Sequence, residues 1–307
     1  MIILKDSPIE VIQTSFLQKR GVRLLLKRDD LLHPEISGNK WRKLKFNLQR
    51  FQMSTAEKLL TFGGAFSNHI AAVAAAGKAY HFPAIGIIRG ERMELLNPTL
   101  TFAESCGMQL KFISRKDYRR KNNSDFVADL KIEFGDFYTL PEGGSNALAV
   151  KGCREIITET AAQLPMLPDY FCVCCGTGGT IAGMIAELQG RSKILGFSAL
   201  KGDFLPAEVT DLLKKSDSSV FENWEINTDY HFGGYAKWKS ELIEFMNNFK
   251  QETGIALDPI YTGKMLYGIF DLIEQGYFEK GATILAVHTG GLQGIDGFNG
   301  RFGELIF

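Results

Sequence analysis

Short apolar runs alternate with helical stretches along most of this chain, and that alternation limits the fold more than any other feature. Leu59–Gly64, Ala84–Arg89, Leu110–Ile113, Phe137–Leu140, Tyr170–Cys175, Ile194–Ser198 and Thr283–His288 read as buried strands. Helices are expected between them, over Ile70–Tyr80, Asn97–Cys106, Asp125–Glu133, Ala147–Leu164, Trp238–Thr253 and Thr262–Glu274. Continuous apolar strands separated by helices and short turns are the pattern of parallel βαβ units. The stretch 203–234 is less regular, with one helix near Ala207–Lys215. The units restart near Lys45 and near Gly144. The expected organisation is therefore two α/β domains, a small one over 45–144 and a larger, discontinuous one combining 1–44 with 145–307.

Composition narrows the class of partner. The 307 residues hold 35 Lys+Arg and 35 Asp+Glu, so the net charge is zero, and neither a nucleic-acid surface nor a basic membrane-seeking face is indicated. Thirty-two glycines against nine prolines suit an enzyme with many tight strand-to-helix turns. Cys172, Cys174 and Cys175 crowd one strand, and no second Cys/His cluster completes a metal site. They read as reduced core residues of a cytoplasmic protein. The first residues lack the pattern of a signal peptide, and no apolar run reaches the length of a membrane span.

Four stretches and two tyrosines carry chemistry. In Ser37-Gly38-Asn39-Lys40-Trp41-Arg42-Lys43-Leu44 a loop gives way to a helix, with Asn39 as the expected N-cap. The helix N-terminus, Arg42 and Lys43 place Lys40 in positive surroundings, which lowers an ammonium pKa and favours a free amine able to attack a carbonyl. Gly176-Thr177-Gly178-Gly179-Thr180 lies between a buried strand and a helix, where backbone N–H groups can hold a phosphate. Ile181 breaks a dinucleotide fingerprint and no Lys-Ser/Thr pair makes a Walker loop, so a phosphate monoester suits this turn best. Ser67-Asn68-His69 occupies another strand-to-helix turn, Thr289-Gly290-Gly291 ends the last strand, and Tyr235 and Tyr261 sit on turns. A structural reading of each remains: serine as an N-cap, a satisfied histidine, tyrosines as packing.

A reactive lysine, a phosphate-monoester loop and a strand-end hydroxyl are the parts that a pyridoxal phosphate enzyme needs. The sequence resembles the fold type II (tryptophan synthase β-like) pyridoxal phosphate enzymes, specifically the family of 1-aminocyclopropane-1-carboxylate deaminase and D-cysteine desulfhydrase. Arg28-Asp29-Asp30, Gly38–Leu44, Ser67-Asn68-His69, Gly143–Asn146, Cys175–Thr180, Gly233-Gly234-Tyr235, Asp258–Lys264 and His288–Gly291 carry the resemblance in order over nearly the whole chain. It implies Lys40 as the Schiff-base lysine and proton carrier, and Gly176 to Thr180 as phosphate loop. Asn68 would meet the cofactor's ring hydroxyl, and Thr289 the pyridine nitrogen. Ser67 and His69 would receive the substrate carboxylate or move protons, with Asn68, Tyr235, Tyr261 and Thr262 also on the substrate side. The deaminases carry glutamate where this chain has Thr262, so the pair Thr262 and Thr289 looks more like the desulfhydrases. The implied reaction is β-elimination from D-cysteine to pyruvate, ammonia and sulfide. Ring opening of the cyclopropane amino acid is the alternative, and a non-catalytic phosphometabolite binder a further one. A homodimer is what the family suggests.

Overall fold

Tyr170–Cys175 is buried along its whole length, and its side chains divide between two apolar layers. Tyr170, Cys172 and Cys174 join one core cluster, while Phe171, Val173 and Cys175 join another. This is the period-two alternation of a strand covered on both faces. The computed structural model describes residues 3–307. Among these the strands are β1 (Ile9–Ile12), β2 (Arg23–Lys27), β3 (Leu59–Gly64), β4 (Ala84–Arg89), β5 (Gln109–Ile113), β6 (Tyr138–Leu140), β7 (Tyr170–Cys175), β8 (Lys193–Ser198), β9 (Trp224–Asn227) and β10 (Thr283–Val287). They form two sheets, ordered β1-β2-β10-β7-β8-β9 and β5-β4-β3-β6. Every pairing is parallel except β1 with β2.

Helices cover both faces of each sheet, as parallel strands require. On the larger sheet, Ser240–Thr253 and Thr262–Glu274 pack on one side, and Ala147–Cys153, Glu155–Gln163, Gly179–Leu188 and Leu205–Lys215 on the other. On the smaller sheet, Asn39–Gln52, Asn68–Tyr80 and Pro98–Ser105 lie on one side and Ser124–Phe134 on the other. Asn68–Tyr80 is buried from Asn68 to Gly77, and its alanines bring its backbone close to the strands beneath.

Most expected elements fall where the pattern put them, and Thr262–Glu274 matches residue for residue. The long helix expected over Ala147–Leu164 is instead two, broken at Arg154, where the ladder tightens to an Ile157 N–H to Arg154 C=O bond. The edge strands β1 and β9 and the helix Ser15–Arg20 were not legible. Each edge strand is four residues long and half-exposed, too short to establish a period. The expected domain crossing near Lys45 falls inside the helix Asn39–Gln52. That helix buries Trp41, Leu44, Leu48 and Phe51 with the smaller sheet's core, while Asn47 bonds Asn146 on the other side.

Candidate active site

The C-terminal ends of β3, β7 and β10 open on one cavity of about 580 Å³, the place where ligands collect in open parallel sheets. Lys40, Ser67, Asn68, His69, Gly176, Thr177, Gly178, Thr180, Tyr235, Tyr261 and Thr289 all line it. Residues more than two hundred positions apart are thereby brought together. Gly179 is buried behind the loop and is not on the wall.

Lys40 stands in the first turn of its helix. The cap is not Asn39, as expected, but Gly38; Asn39 is already helical. Its side chain donates to Thr180 Oγ1 at 2.9 Å and accepts from Lys40 Nζ at 2.8 Å, so it ties the lysine to the glycine loop Gly176–Thr180. Gly38 has φ +62°, and a Cβ there would stand 1.9 Å from the Thr289 carbonyl oxygen. Only glycine lets the lysine turn and the end of β10 approach so closely.

The Lys40 pKa is lowered to about 8, chiefly by burial and then by Lys43. Arg42, expected to contribute, points the other way. Its guanidinium forks onto Asp29 at 2.6 and 2.7 Å and onto Glu159 at 2.8 and 2.8 Å. Lys27 Nζ bonds Glu159 at 2.9 Å, and Ser7 bridges Lys27 and Asp29. This balanced cluster, with Arg42 1% exposed and Asp29 and Lys27 0%, clamps the first turn of the lysine helix.

Lys43 was missed as a site residue, although its place three residues after Lys40 puts it on the same helix face. It is 3% exposed and lines the cavity. Its ammonium reaches Gly143 O at 3.3 Å, Ser145 Oγ at 3.1 Å and Thr177 Oγ1 at 3.4 Å. A buried cation whose partners are a carbonyl and two hydroxyls, set against a glycine loop and the N-terminus of Gly179–Leu188, fits a phosphate dianion.

Ser67 is the N-cap of Asn68–Tyr80 and accepts from Ile70 N–H at 3.3 Å, as the structural reading held. Its hydroxyl proton is left for another acceptor. Asn68 accepts from Gln293 at 3.2 Å, leaving its Nδ2 as donor. The His69 tautomer follows from its partner. Thr61 Oγ1 donates to Leu140 O at 2.9 Å, so the hydroxyl oxygen must accept from His69 Nε2–H at 2.8 Å. Nδ1 is then a bare acceptor, buried and without a protein partner. Burial, Lys40 and Lys43 hold the His69 pKa well below the usual range, so the ring is neutral. As placed, Nδ1 is free to accept a hydrogen bond and has no proton to donate to a carboxylate.

At the opposite wall, Thr289 Oγ1 lies 3.0 Å from Cys174 Sγ. Burial raises that thiol to about 12, so it stays protonated. Tyr235 and Tyr261 face each other, ring centroids 6.3 Å apart at 66°. Burial raises the Tyr235 phenol to about 12 and the Tyr261 phenol well above its ordinary value, keeping both protonated. Thr262 is not on the wall. It is 0% exposed, donates to Asp258 Oδ1 at 2.8 Å and accepts from Asp258 N–H at 2.9 Å. Its donor is spent on that turn. Asp258 also accepts from the backbone N–H groups of Ile260, Tyr261 and Thr262, and so sets Tyr261.

Comparison with known proteins agrees with this geometry. Residues 5–290 match the family described as pyridoxal-phosphate dependent enzyme. The bifunctional D-cysteine desulfhydrase/1-aminocyclopropane-1-carboxylate deaminase of Arabidopsis thaliana is 32% identical, over 90% of this chain and 74% of its own. The D-cysteine desulfhydrase of Klebsiella pneumoniae is 27% identical, over 88% and 87%. A crystal structure of an ACC deaminase homologue, 28% identical, superposes with a TM-score of 0.86 over 98% of this chain and 94% of the other. With a lysine, a glycine-rich loop and a strand-end hydroxyl gathered in one cavity, and a match along nearly its full length, the chain belongs to the fold type II pyridoxal phosphate-dependent enzymes.

Proposed function

We propose that the chain eliminates the β-substituent of a small amino acid, with D-cysteine giving pyruvate, ammonia and sulfide. The observation that carries this reading is Thr289, a neutral hydroxyl beside the protonated Cys174 thiol, in the same cavity as Lys40. A hydroxyl at this position would leave the pyridine nitrogen of a bound cofactor unprotonated, which would favour elimination over transamination. Pyridoxal 5'-phosphate, when bound, supplies an electron sink for the pair left at the substrate's α-carbon.

The chain's own residues take the other roles. Lys40, with its lowered pKa, would attach the cofactor and carry the α-proton. The Gly176–Thr180 loop and Lys43 would hold the phosphate. Asn68 would meet the ring hydroxyl and, with the Ser67 hydroxyl and the N-terminus of their helix, would receive the substrate carboxylate. His69 accepts at Nδ1, and Tyr235 and Tyr261 close over the substrate. Thr262, a neutral residue spent on Asp258, brings no carboxylate of its own to this side of the site.

The two protonated phenols support a second reading, ring opening of 1-aminocyclopropane-1-carboxylate to 2-oxobutyrate and ammonia, with a tyrosine as proton donor. A buried lysine whose pKa is lowered to about 8, in one cavity with the glycine loop, speaks against a silent phosphometabolite binder. We further assign 45–144 to the substrate-side domain and 1–44 with 145–307 to the cofactor domain, a division supported by the segregation of strands into two sheets. A homodimer and a cytoplasmic location are part of the same proposal; five free cysteines, four of them buried, suit a reducing compartment. No helix among the described residues is long and apolar enough to cross a membrane.

The test is keto-acid release by the purified, cofactor-loaded protein from D-cysteine, L-cysteine and the cyclopropane amino acid in parallel. Pyruvate from D-cysteine alone supports the elimination reading. Turnover confined to the cyclopropane substrate would replace it with the second, and a colourless protein with intact Lys40 would leave only the binder.

A further inference from the structure

One face of the helix Thr262–Glu274 is given over to a single loop. Lys264, Tyr267, Gly268 and Asp271 stand at spacings of three, four and seven, one stripe of a helix. Lys264 Nζ donates to His231 O and Gly234 O, both at 2.9 Å. The Tyr267 ring meets Phe232 edge-on at 5.1 Å. Gly268 gives room for the Tyr230 ring, whose hydroxyl donates to Asp271 at 2.7 Å. The loop so gripped is tightly wound. Phe232 and Ala236, neither a glycine, have φ +54°, on either side of Gly233 and Gly234. Such backbone persists only where its surroundings hold it.

The loop ends on Tyr235, which faces Tyr261. Tyr261 is the residue just before this same helix and is set by the Asp258 turn. One helix therefore holds the backbone of both tyrosines, one at its own N-terminus and the other through the gripped loop, while the Tyr235 hydroxyl donates to Phe66 O at 3.4 Å. Lys264 is 1% exposed and its partners are carbonyls, not carboxylates. Burying an amine in this way costs stability that an apolar side chain of the same length would not. What an apolar chain cannot do is satisfy the two inward-facing carbonyls of a wound loop.

We infer that Lys264 is a positioning residue: by holding the His231 and Gly234 carbonyls, it sets Tyr235 opposite Tyr261 on the substrate side of the cavity. The inference deepens the reaction proposed above and rests on it for the role of Tyr235. Burial lowers the Lys264 pKa to about 8. A neutral amine still has two N–H donors, so the grip survives loss of the third proton.

The test compares Lys264→Met, Tyr235→Phe and the double variant as cofactor-loaded proteins, by steady-state kinetics and by amide hydrogen exchange over residues 229–237. For Lys264→Met, exchange is expected to rise over 229–237 while Asn68–Tyr80 and the visible absorbance of the Lys40-bound cofactor stay parental. Its kcat/KM should fall by roughly tenfold or more, as misplacing a substrate-side group does. In the Tyr235→Phe background the same substitution should cost less than about twofold, because residues acting through one another are not additive. Parental exchange over 229–237, or a Lys264→Met penalty undiminished beside Tyr235→Phe, would overturn the inference. Should Lys264→Met fail to fold, Lys264→Gln, which keeps an N–H donor pair on a shorter stem, should show the same effects at smaller size. The exchange measurement needs no substrate. A protein that turns over none of the amino acids would therefore defeat the proposed reaction, while Lys264 would still stand or fall on loop exchange.

Discussion

Replacing Arg42 with methionine would remove the four guanidinium bonds that join the lysine helix to Asp29 and Glu159. Glu159 keeps Lys27 and some solvent, with its side chain 37% exposed, so most of the cost falls elsewhere. Asp29 is 0% exposed and would keep only the Ser7 hydroxyl as a side-chain donor. Stranding one partner of a buried pair costs about 3–5 kcal/mol. At roughly 2 °C per kcal/mol for a chain of this size, the thermal midpoint should drop by about 6–10 °C. The assay is far-UV circular dichroism on cofactor-free parent and variant in the same buffer. Removing both charges in Arg42→Met/Asp29→Leu should lose less than Arg42→Met alone, because no carboxylate is left stranded. A midpoint within about a degree of the parent for Arg42→Met, or a double variant worse than the single, would refute the reasoning. The pH dependence has a definite sign. Arg42 and then Lys27 hold the Glu159 pKa down to about 2, against the opposing effect of burial. Its contribution is therefore fully present above its ordinary value near 4.5, and is lost as pH falls toward 2.

Three further outcomes follow from the cavity. Lys43→Ala should weaken pyridoxal phosphate binding by about 1.5–3 kcal/mol, roughly tenfold to a hundredfold, the worth of a hydrogen bond to a charged group, read as a cofactor titration; unchanged affinity would remove Lys43 from the phosphate site. The rate at which cofactor-free protein gains visible absorbance should rise with pH through about 8, as Lys40 loses its proton. Lys43→Met should move that midpoint upward, since the Lys43 charge helps to lower it. Gly38→Ala should abolish cofactor binding or folding, because its Cβ would meet the Thr289 carbonyl at 1.9 Å; a fully active variant would show that the backbone can yield there.

The chain's own pattern was enough for the α/β class, for most elements and for many of the residues that line the cavity, although Lys43 escaped it and Gly179 and Thr262 lie off the wall. Each of these rests on a local cause. Phe171, Val173 and Cys175 alternate with Tyr170, Cys172 and Cys174 wherever β7 sits in a sheet, and a glycine turn before a helix presents N–H groups whatever surrounds it. Strand-to-helix turns are also where such folds place chemistry, so Lys40, Ser67 and Thr289 could be singled out from neighbours alone.

What needed the tertiary structure was the direction and environment of side chains. Arg42 and Lys43 are adjacent in sequence, yet one turns into an ion cluster with Asp29 and Glu159 and the other into the cavity. A helix separates successive residues by about 100°, so which of them meets the site depends on how the helix is packed. Thr262 follows Tyr261 but is spent on Asp258, the His69 tautomer depends on Leu140, and Lys264 meets carbonyls some thirty residues away. Sequence determines which groups are available and at what local spacing. Burial and partners, which set pKa, tautomer and orientation, are decided only when distant segments close on one another.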